Sequence, residues 1–237
     1  MDQSAPLAPS ALPFGSLKRF GVFGGSFDPV HVGHLSIAQQ ILNGLKLERV
    51  ILLPTAATPH KQDGRKMASA ADRLAMCELA IHNMHGLAVS DFEIQRGGVS
   101  YTVETAKAVR EAYGPKAKIY FVIGSDSLAD LPHWYHIEEL LRLADFAIAE
   151  RRETPIKESL WLDLRKALGA EFEAKLRDGV VPVQRVDISS TLIRELLAKG
   201  EKIPGYLRRD VEDYIRQKGL YEAPPAPQKG PRIIVKP

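Results

Sequence analysis

The sequence predicts an α/β fold, a Rossmann-like doubly wound parallel sheet with helices on both faces. Three observations carry this. Short apolar runs alternate with longer segments whose apolar residues recur at helical spacing, the pattern of βαβ units covered on both sides. The first apolar run passes through a glycine pair into a helix, in Gly21-Val-Phe-Gly-Gly-Ser-Phe-Asp-Pro-Val-His-Val-Gly-His-Leu35. The residues with chemical potential fall just after predicted strands, where ligands sit in open parallel sheets.

Taken in order, Arg19 to Phe23 reads as a strand, and Leu35, Ile37, Ala38, Ile41, Leu42 and Leu45 mark one buried helix face. Val50 to Leu53 is a second strand, closed by Pro54, and a polar loop runs from Thr55 to Ala68. A helix follows from Ser69 to His82, a short strand from Leu87 to Ser90, and an extended or hairpin-like connection through Gly97-Gly98. Tyr101 to Tyr113 is helical and stopped by Gly114-Pro115, and Ile119 to Ile123 is the most strand-like run of all. After a turn at Gly124 and a loop at Leu131 to Tyr135 come a helix (Ile137 to Leu143) and a strand (Phe146 to Ala149). Glu158 to Arg177 carries a helical stripe interrupted at Gly169. Val180 to Val186 is a strand in which Pro182 marks an edge or a strand start, and helices begin at Ile188-Ser-Ser-Thr and at Tyr206.

With 237 residues the chain suffices for one domain, expected over 18–222 between a disordered leader (1–17) and a proline-rich flexible tail (223–237). A net charge of +3 gives no argument for a nucleic-acid polymer and suits a phosphate-rich small substrate. No run is apolar enough to span a membrane, and the leader lacks the charged start of a signal peptide. Cys77 is the single cysteine, so no internal disulfide forms and a reducing compartment, the cytoplasm, is expected. Its helical pattern places it in the core rather than in chemistry.

Gly24 and Gly25 remove the Cβ atoms that would keep a phosphate chain off the backbone. The helix starting near Gly33 offers free N–H groups and a positive dipole end, and His31 and His34, three apart, share one face. That is a place to hold a nucleotide. Spacing alone is weak, because His82/His85 and His133/His136 repeat it. A second segment, Ile188-Ser-Ser-Thr-Leu-Ile-Arg194, combines capping hydroxyls with an arginine one turn on, which suits phosphate or simply describes a capped helix with a surface arginine.

The string Gly-Gly-Ser-Phe-Asp-Pro-Val-His-Val-Gly-His-Leu resembles the first signature of the nucleotidyltransferase superfamily. Within it the chain is most similar to the bacterial nicotinate-nucleotide adenylyltransferases, from about Phe20 to Ile215. The resemblance implies the nucleotidyltransferase fold and transfer of the adenylyl group of ATP to nicotinate mononucleotide, giving deamido-NAD and pyrophosphate in NAD biosynthesis. It implies ATP contacts at Gly24, Gly25, Ser26, Phe27, His31, His34, Gly124, Asp126, Ser189, Ser190, Thr191 and Arg194. Lys61, in Thr-Pro-His-Lys where relatives carry Pro-Pro-His-Lys, is expected on the phosphates beside Arg194, and these two with the histidines form the catalytic set. The run Ser-Tyr-Thr resembles the family's nicotinate-side segment, implying Tyr101 and Thr102 there. Trp134 offers a face for the pyridine ring, and Arg151 a contact where Arg152 replaces the family's proline.

No Gly-Lys-Ser/Thr loop and no Gly-x-Gly-x-x-Gly follow the first strand, which argues against a P-loop ATPase and a hydride-transferring dehydrogenase. With no nucleophile and dedicated base in view, direct in-line attack by the substrate phosphate on the α-phosphorus is expected. Mg²⁺ is expected to travel with ATP, since no carboxylate cluster offers a metal cage. The other readings are pantetheine-phosphate adenylyltransferase, which the Ser-Tyr-Thr run and the Ser-Ser-Thr-x-x-Arg ending disfavour, and a non-catalytic nucleotide-sensing module. Whether the chain forms a homo-oligomer the sequence leaves open.

Overall fold

β1 (Arg19–Gly25) lies inside the sheet in the computed structural model, which describes residues 16–56, 67–184 and 186–222. Apart from Ser16 and Leu17, the expected leader lies outside those residues, as do the tail and Lys61. The chain continues through α1 (Val32–Gly44), β2 (Arg49–Pro54), α2 (Ala70–Ile81), β3 (Leu87–Val89), α3 (Phe92–Arg96), α4 (Thr102–Tyr113) and β4 (Lys118–Gly124). The second half adds α5 (Ile137–Leu143), β5 (Asp145–Arg151), α6 (Glu158–Leu168), α7 (Ala170–Asp178), β6 (Val180–Val183), α8 (Ser190–Ala198) and α9 (Arg209–Lys218).

The six strands are all parallel, in the order β3-β2-β1-β4-β5-β6. Strand order reverses between β1 and β4, and that switch point opens a crevice at the carboxyl ends of these two strands. The strand alternation decides which helices cover which face. Phe20, Val22, Ile51, Leu53, Ile119, Phe121, Phe146 and Ile148 point to one side, packed with α3 to α7 through residues such as Val103, Leu140, Trp161 and Leu176. Val50, Leu52, Val122, Ala147 and Val181 point to the other, against Leu35, Ala38 and Ile41 of α1, Met76 and Cys77 of α2, Ile193 of α8, and Val211 and Ile215 of α9. Cys77 is fully buried and its thiol is pushed up by desolvation, in keeping with a core role.

Three segments differ from the sequence expectation. The connection after β3 is not extended: residues 92–96 form α3, with Phe92 and Glu93 buried. It is tied to α4, since the Thr105 hydroxyl donates to Glu93 Oε1 at 2.6 Å. A helix this short is set by tertiary contact, which local propensity does not report. β6 stops at Val183 instead of Val186, because its partner β5 ends at Arg151 and the two residues are opposite each other. Pro182 does sit on an edge strand. The last helix begins at Arg209 rather than Tyr206, after a turn at Pro204 and Gly205. The predicted break at Gly169 is present, with φ +93 between α6 and α7.

Candidate active site

Two adjoining cavities occupy the carboxyl side of the sheet. The larger, about 480 Å³, is lined by His31, Gly33 and His34 from the start of α1, by Gly124 and Asp126 after β4, by Arg151 at the end of β5, and by Ser189, Ser190 and Thr191 at the start of α8. The smaller, about 190 Å³, is lined by Gly24 and Gly25 of β1, by Thr102 and Trp134, and by an apolar floor that includes Leu53 and Phe121. Ser26 lines both.

The larger cavity joins segments far apart in sequence. Ser190 Oγ donates to the Pro29 carbonyl at 2.9 Å, across 161 residues. Arg194 Nη1 donates to the Asp28 carbonyl at 2.6 Å, and its Nη2 donates to Thr191 Oγ1 at 3.2 Å. Ser189 caps α8 by accepting from the Leu192 N–H at 3.1 Å. Thus the two signatures meet, and Arg194 is braced beneath the Ser-Ser-Thr turn.

The electrostatics come from the helix ends. Among the α-helices of the described residues, α1 and α8 alone have no acidic residue in the first turn; the others carry at least one. A first-turn carboxylate would neutralise the positive dipole end. The two helices that begin at this cavity therefore keep that end available to an anion.

His31 occupies the N-cap position of α1 with extended backbone, φ −144 and ψ 169. Its ring stacks on His34, centroids 3.7 Å apart and planes 24° apart. The His31 N–H donates to His34 Nδ1 at 3.2 Å, which leaves His34 Nε2 as the nitrogen that carries a proton in the neutral ring. Buried, with its Nδ1 lacking any hydrogen-bond partner, His31 has its pKa lowered by desolvation to about 4. At neutral pH it is an uncharged imidazole that an approaching phosphate would make more basic. Gly33 permits this stack, because a Cβ there would lie 2.9 Å from His31 Nδ1 and 3.0 Å from the Ile188 side chain.

Phe27 is not on the cavity wall: it is 2% exposed, edge-on to His34 at 5.1 Å, and supports the histidine from behind. Gly124 has a steric purpose, since a Cβ would sit 2.3 Å from Asp126 Oδ1 and push that carboxylate off the strand end. Asp126 and Arg151 form an exposed ion pair at 3.8 Å across the mouth.

In the smaller cavity, Trp134 is half-buried and edge-on to Phe146 at 6.1 Å, so it both packs on the core and presents a face. Thr102 opens α4, whose N-cap, Tyr101, makes no side-chain capping bond. Tyr101 itself is 41% exposed and packs on Tyr135, centroids 4.6 Å apart, outside the lining.

Several residues that matter here were not singled out in the sequence. Glu93, Ser100 and Thr55 all line the smaller cavity, and Glu93 Oε2, Ser100 Oγ and Thr55 Oγ1 are buried without hydrogen-bond partners. Arg73, near the start of α2, is 1% exposed. It donates to the carbonyls of Ser26 at 2.8 Å, Thr55 at 2.7 Å, Ala56 at 3.3 Å and Ala68 at 3.2 Å. That one guanidinium fixes the turns after β1 and β2 together. A charged residue at the apolar-periodic start of a helix is the signal that could have found it.

A family model described as cytidylyltransferase-like matches residues 22–196. A protein of Gemmatimonas aurantiaca named "Probable nicotinate-nucleotide adenylyltransferase" is 37% identical, over 87% of this chain and 94% of its own. One of Synechococcus sp. with the same name is 39% identical, over 87% of this chain and 96% of its own. Among solved structures, Plasmodium falciparum nicotinic acid mononucleotide adenylyltransferase complexed with NaAD superposes with a TM-score of 0.66 at 22% identity. It covers 86% of this chain and 97% of that one, and supports the fold. The chain belongs to the cytidylyltransferase-like family, among its nicotinate-nucleotide adenylyltransferases.

Proposed function

We propose that this chain transfers the adenylyl group of ATP to nicotinate mononucleotide, releasing pyrophosphate and forming deamido-NAD. The observation that carries the reading is the junction at Ser26. A cavity ringed by two unneutralised helix N-termini adjoins one walled by a tryptophan and floored by apolar residues. A triphosphate suits the first and a pyridine nucleotide the second, with the reacting phosphates at the junction.

The phosphate monoester of the mononucleotide attacks the α-phosphorus in line. A new P–O bond forms as the bond to the β-phosphate oxygen breaks, and pyrophosphate leaves with that electron pair. The attacking phosphate is already anionic and needs no base, so the protein supplies alignment and charge stabilisation. In this reading His31 and His34 contact the α- and β-phosphates, and the Ser189–Thr191 turn with Arg194 holds the departing pyrophosphate. Lys61 joins them from outside the described residues. The neutral His31 and the Nε2–H of His34 act as hydrogen-bond donors rather than fixed charges, which favours the charge-rich transition state over product retention. In this reading Thr102, which opens α4 and lines the smaller cavity, meets the nicotinate side of the mononucleotide.

Mg²⁺ travelling with ATP would supply charge compensation at the phosphates when bound. Among the described residues no group of three His, Cys, Asp or Glu side chains is placed to hold a metal ion. No helix of the described residues is long and apolar enough to cross a membrane. A reducing compartment such as the cytoplasm fits the single buried thiol of Cys77.

Pyrophosphate release tests the function. With ATP and Mg²⁺, nicotinate mononucleotide should support turnover, and nicotinamide mononucleotide should do so less efficiently. Turnover with phosphopantetheine instead, or with no acceptor at all, would reject the reading.

A further inference from the structure

Asp28 sits at a four-way junction that the first signature alone does not explain. Its carboxylate is 3% exposed. Oδ1 accepts the Tyr221 hydroxyl at 2.7 Å and the Ala68 N–H at 3.1 Å. Oδ2 lies 3.9 Å from Arg194 Nη1, which meanwhile donates to the Asp28 backbone carbonyl at 2.6 Å. Arg194 therefore stands next to a buried carboxylate yet spends its short hydrogen bond on a neutral oxygen.

A buried carboxylate takes its partners from whatever donors are at hand, and an arginine is the strongest available. What keeps Oδ2 from closing on Arg194 is that the carboxylate is held by its other oxygen, which accepts from Tyr221 and Ala68. Tyr221 supplies half of that. It follows the last helix, far from both signatures in sequence, and holds a backbone φ of +65, a region a bulky residue adopts only when its surroundings require it. Burial and the neighbouring Asp28 carboxylate push its phenol well up, so it remains a donor at every working pH.

We infer that Tyr221 is a positioning residue for Arg194: by satisfying Asp28 it keeps the guanidinium directed at a pyrophosphate instead of captured by the carboxylate. This rests on the adenylyl-transfer reading for what Arg194 binds. Without the hydroxyl, Oδ1 retains only the Ala68 N–H, and the carboxylate, no longer held by Tyr221, turns Oδ2 towards Arg194 Nη1 and closes the 3.9 Å gap.

The fold supplies its own control. Tyr214, on α9, makes the equivalent staple to Asp72 Oδ1 at 2.9 Å, but Asp72 serves only the start of α2, where it pairs with Ser69. Both tyrosines tie the C-terminal segment to the body, and only Tyr221 ties it to Arg194.

The test is titration of magnesium pyrophosphate into the wild type, Tyr221→Phe and Tyr214→Phe, alongside thermal melting and turnover of each. Tyr221→Phe should weaken pyrophosphate binding by about tenfold and lower kcat, with a melting shift no larger than that of Tyr214→Phe. Tyr214→Phe should bind pyrophosphate as the wild type does. Equal pyrophosphate affinity in all three proteins, or equal weakening in both variants, would overturn the inference. A wild type that binds pyrophosphate but does not turn over nicotinate mononucleotide would reject the proposed reaction and leave the Tyr221 result standing.

Discussion

The two cavities meet at one serine and are built from different physics. The larger takes its character from backbone: helix ends, a capped serine turn and a histidine pair in which the His34 ring accepts the His31 backbone N–H. Its parts come from four stretches of chain, and the start of α8 is fixed to the first of them by hydrogen bonds to the carbonyls of residues 28 and 29. The smaller takes its character from side chains: a tryptophan face, an apolar floor and three polar atoms without partners. The difference teaches that charge is handled by elements the fold cannot move, while the ring is read by groups that substitution can change one at a time.

Breaking either side should therefore give a distinct kinetic defect. The largest effect is expected for His34→Ala, which removes a donor from the reacting phosphates together with the stack on His31. Turnover should fall by about 10²–10³-fold with little change in melting temperature, measured by pyrophosphate release and calorimetry. Near-wild-type turnover would remove His34 from the chemistry.

Next is the cost of burying His31. Its folded pKa of about 4 lies below the ordinary value of 6.5, so between these values the unfolded chain binds a proton that the folded chain refuses. Stability is thus intact above pH 6.5 and is lost as pH falls towards 4. Relative to His31→Gln, the wild type should lose about 3 kcal/mol over that window, measured by denaturant unfolding. Parallel pH dependences would mean that His31 is not held neutral.

The smallest effect is expected on the other side. Trp134→Ala should raise KM for the mononucleotide by about tenfold and leave KM for ATP unchanged, because the stacking face is lost and the helix ends are not. If both KM values rose together, the two cavities would be one site.

How much of this the sequence carried follows the same division. The helix-start motifs were legible because capping, glycine and histidine spacing are local, and the parallel doubly wound sheet, though not its strand order, followed from the alternation of apolar runs. Lining of the smaller cavity by Glu93 and Ser100 was not, since it depends on α3, a helix of five residues anchored by a hydrogen bond from Thr105. Arg73 and Tyr221 were missed for the same reason: their partners are carbonyls and a carboxylate supplied by other segments. Phe27 was read as a ligand contact because it stands inside a signature, although its ring is turned into the core behind His34.

The claim on which the rest depends is that ATP occupies the larger cavity and the pyridine nucleotide the smaller. A crystal structure of the chain with deamido-NAD tests it directly. The account predicts the pyridine ring against Trp134, the bridging phosphates at Ser26, and the adenylyl half between the start of α1 and the start of α8. A dinucleotide bound in the opposite sense, or lying wholly in one cavity, would contradict it.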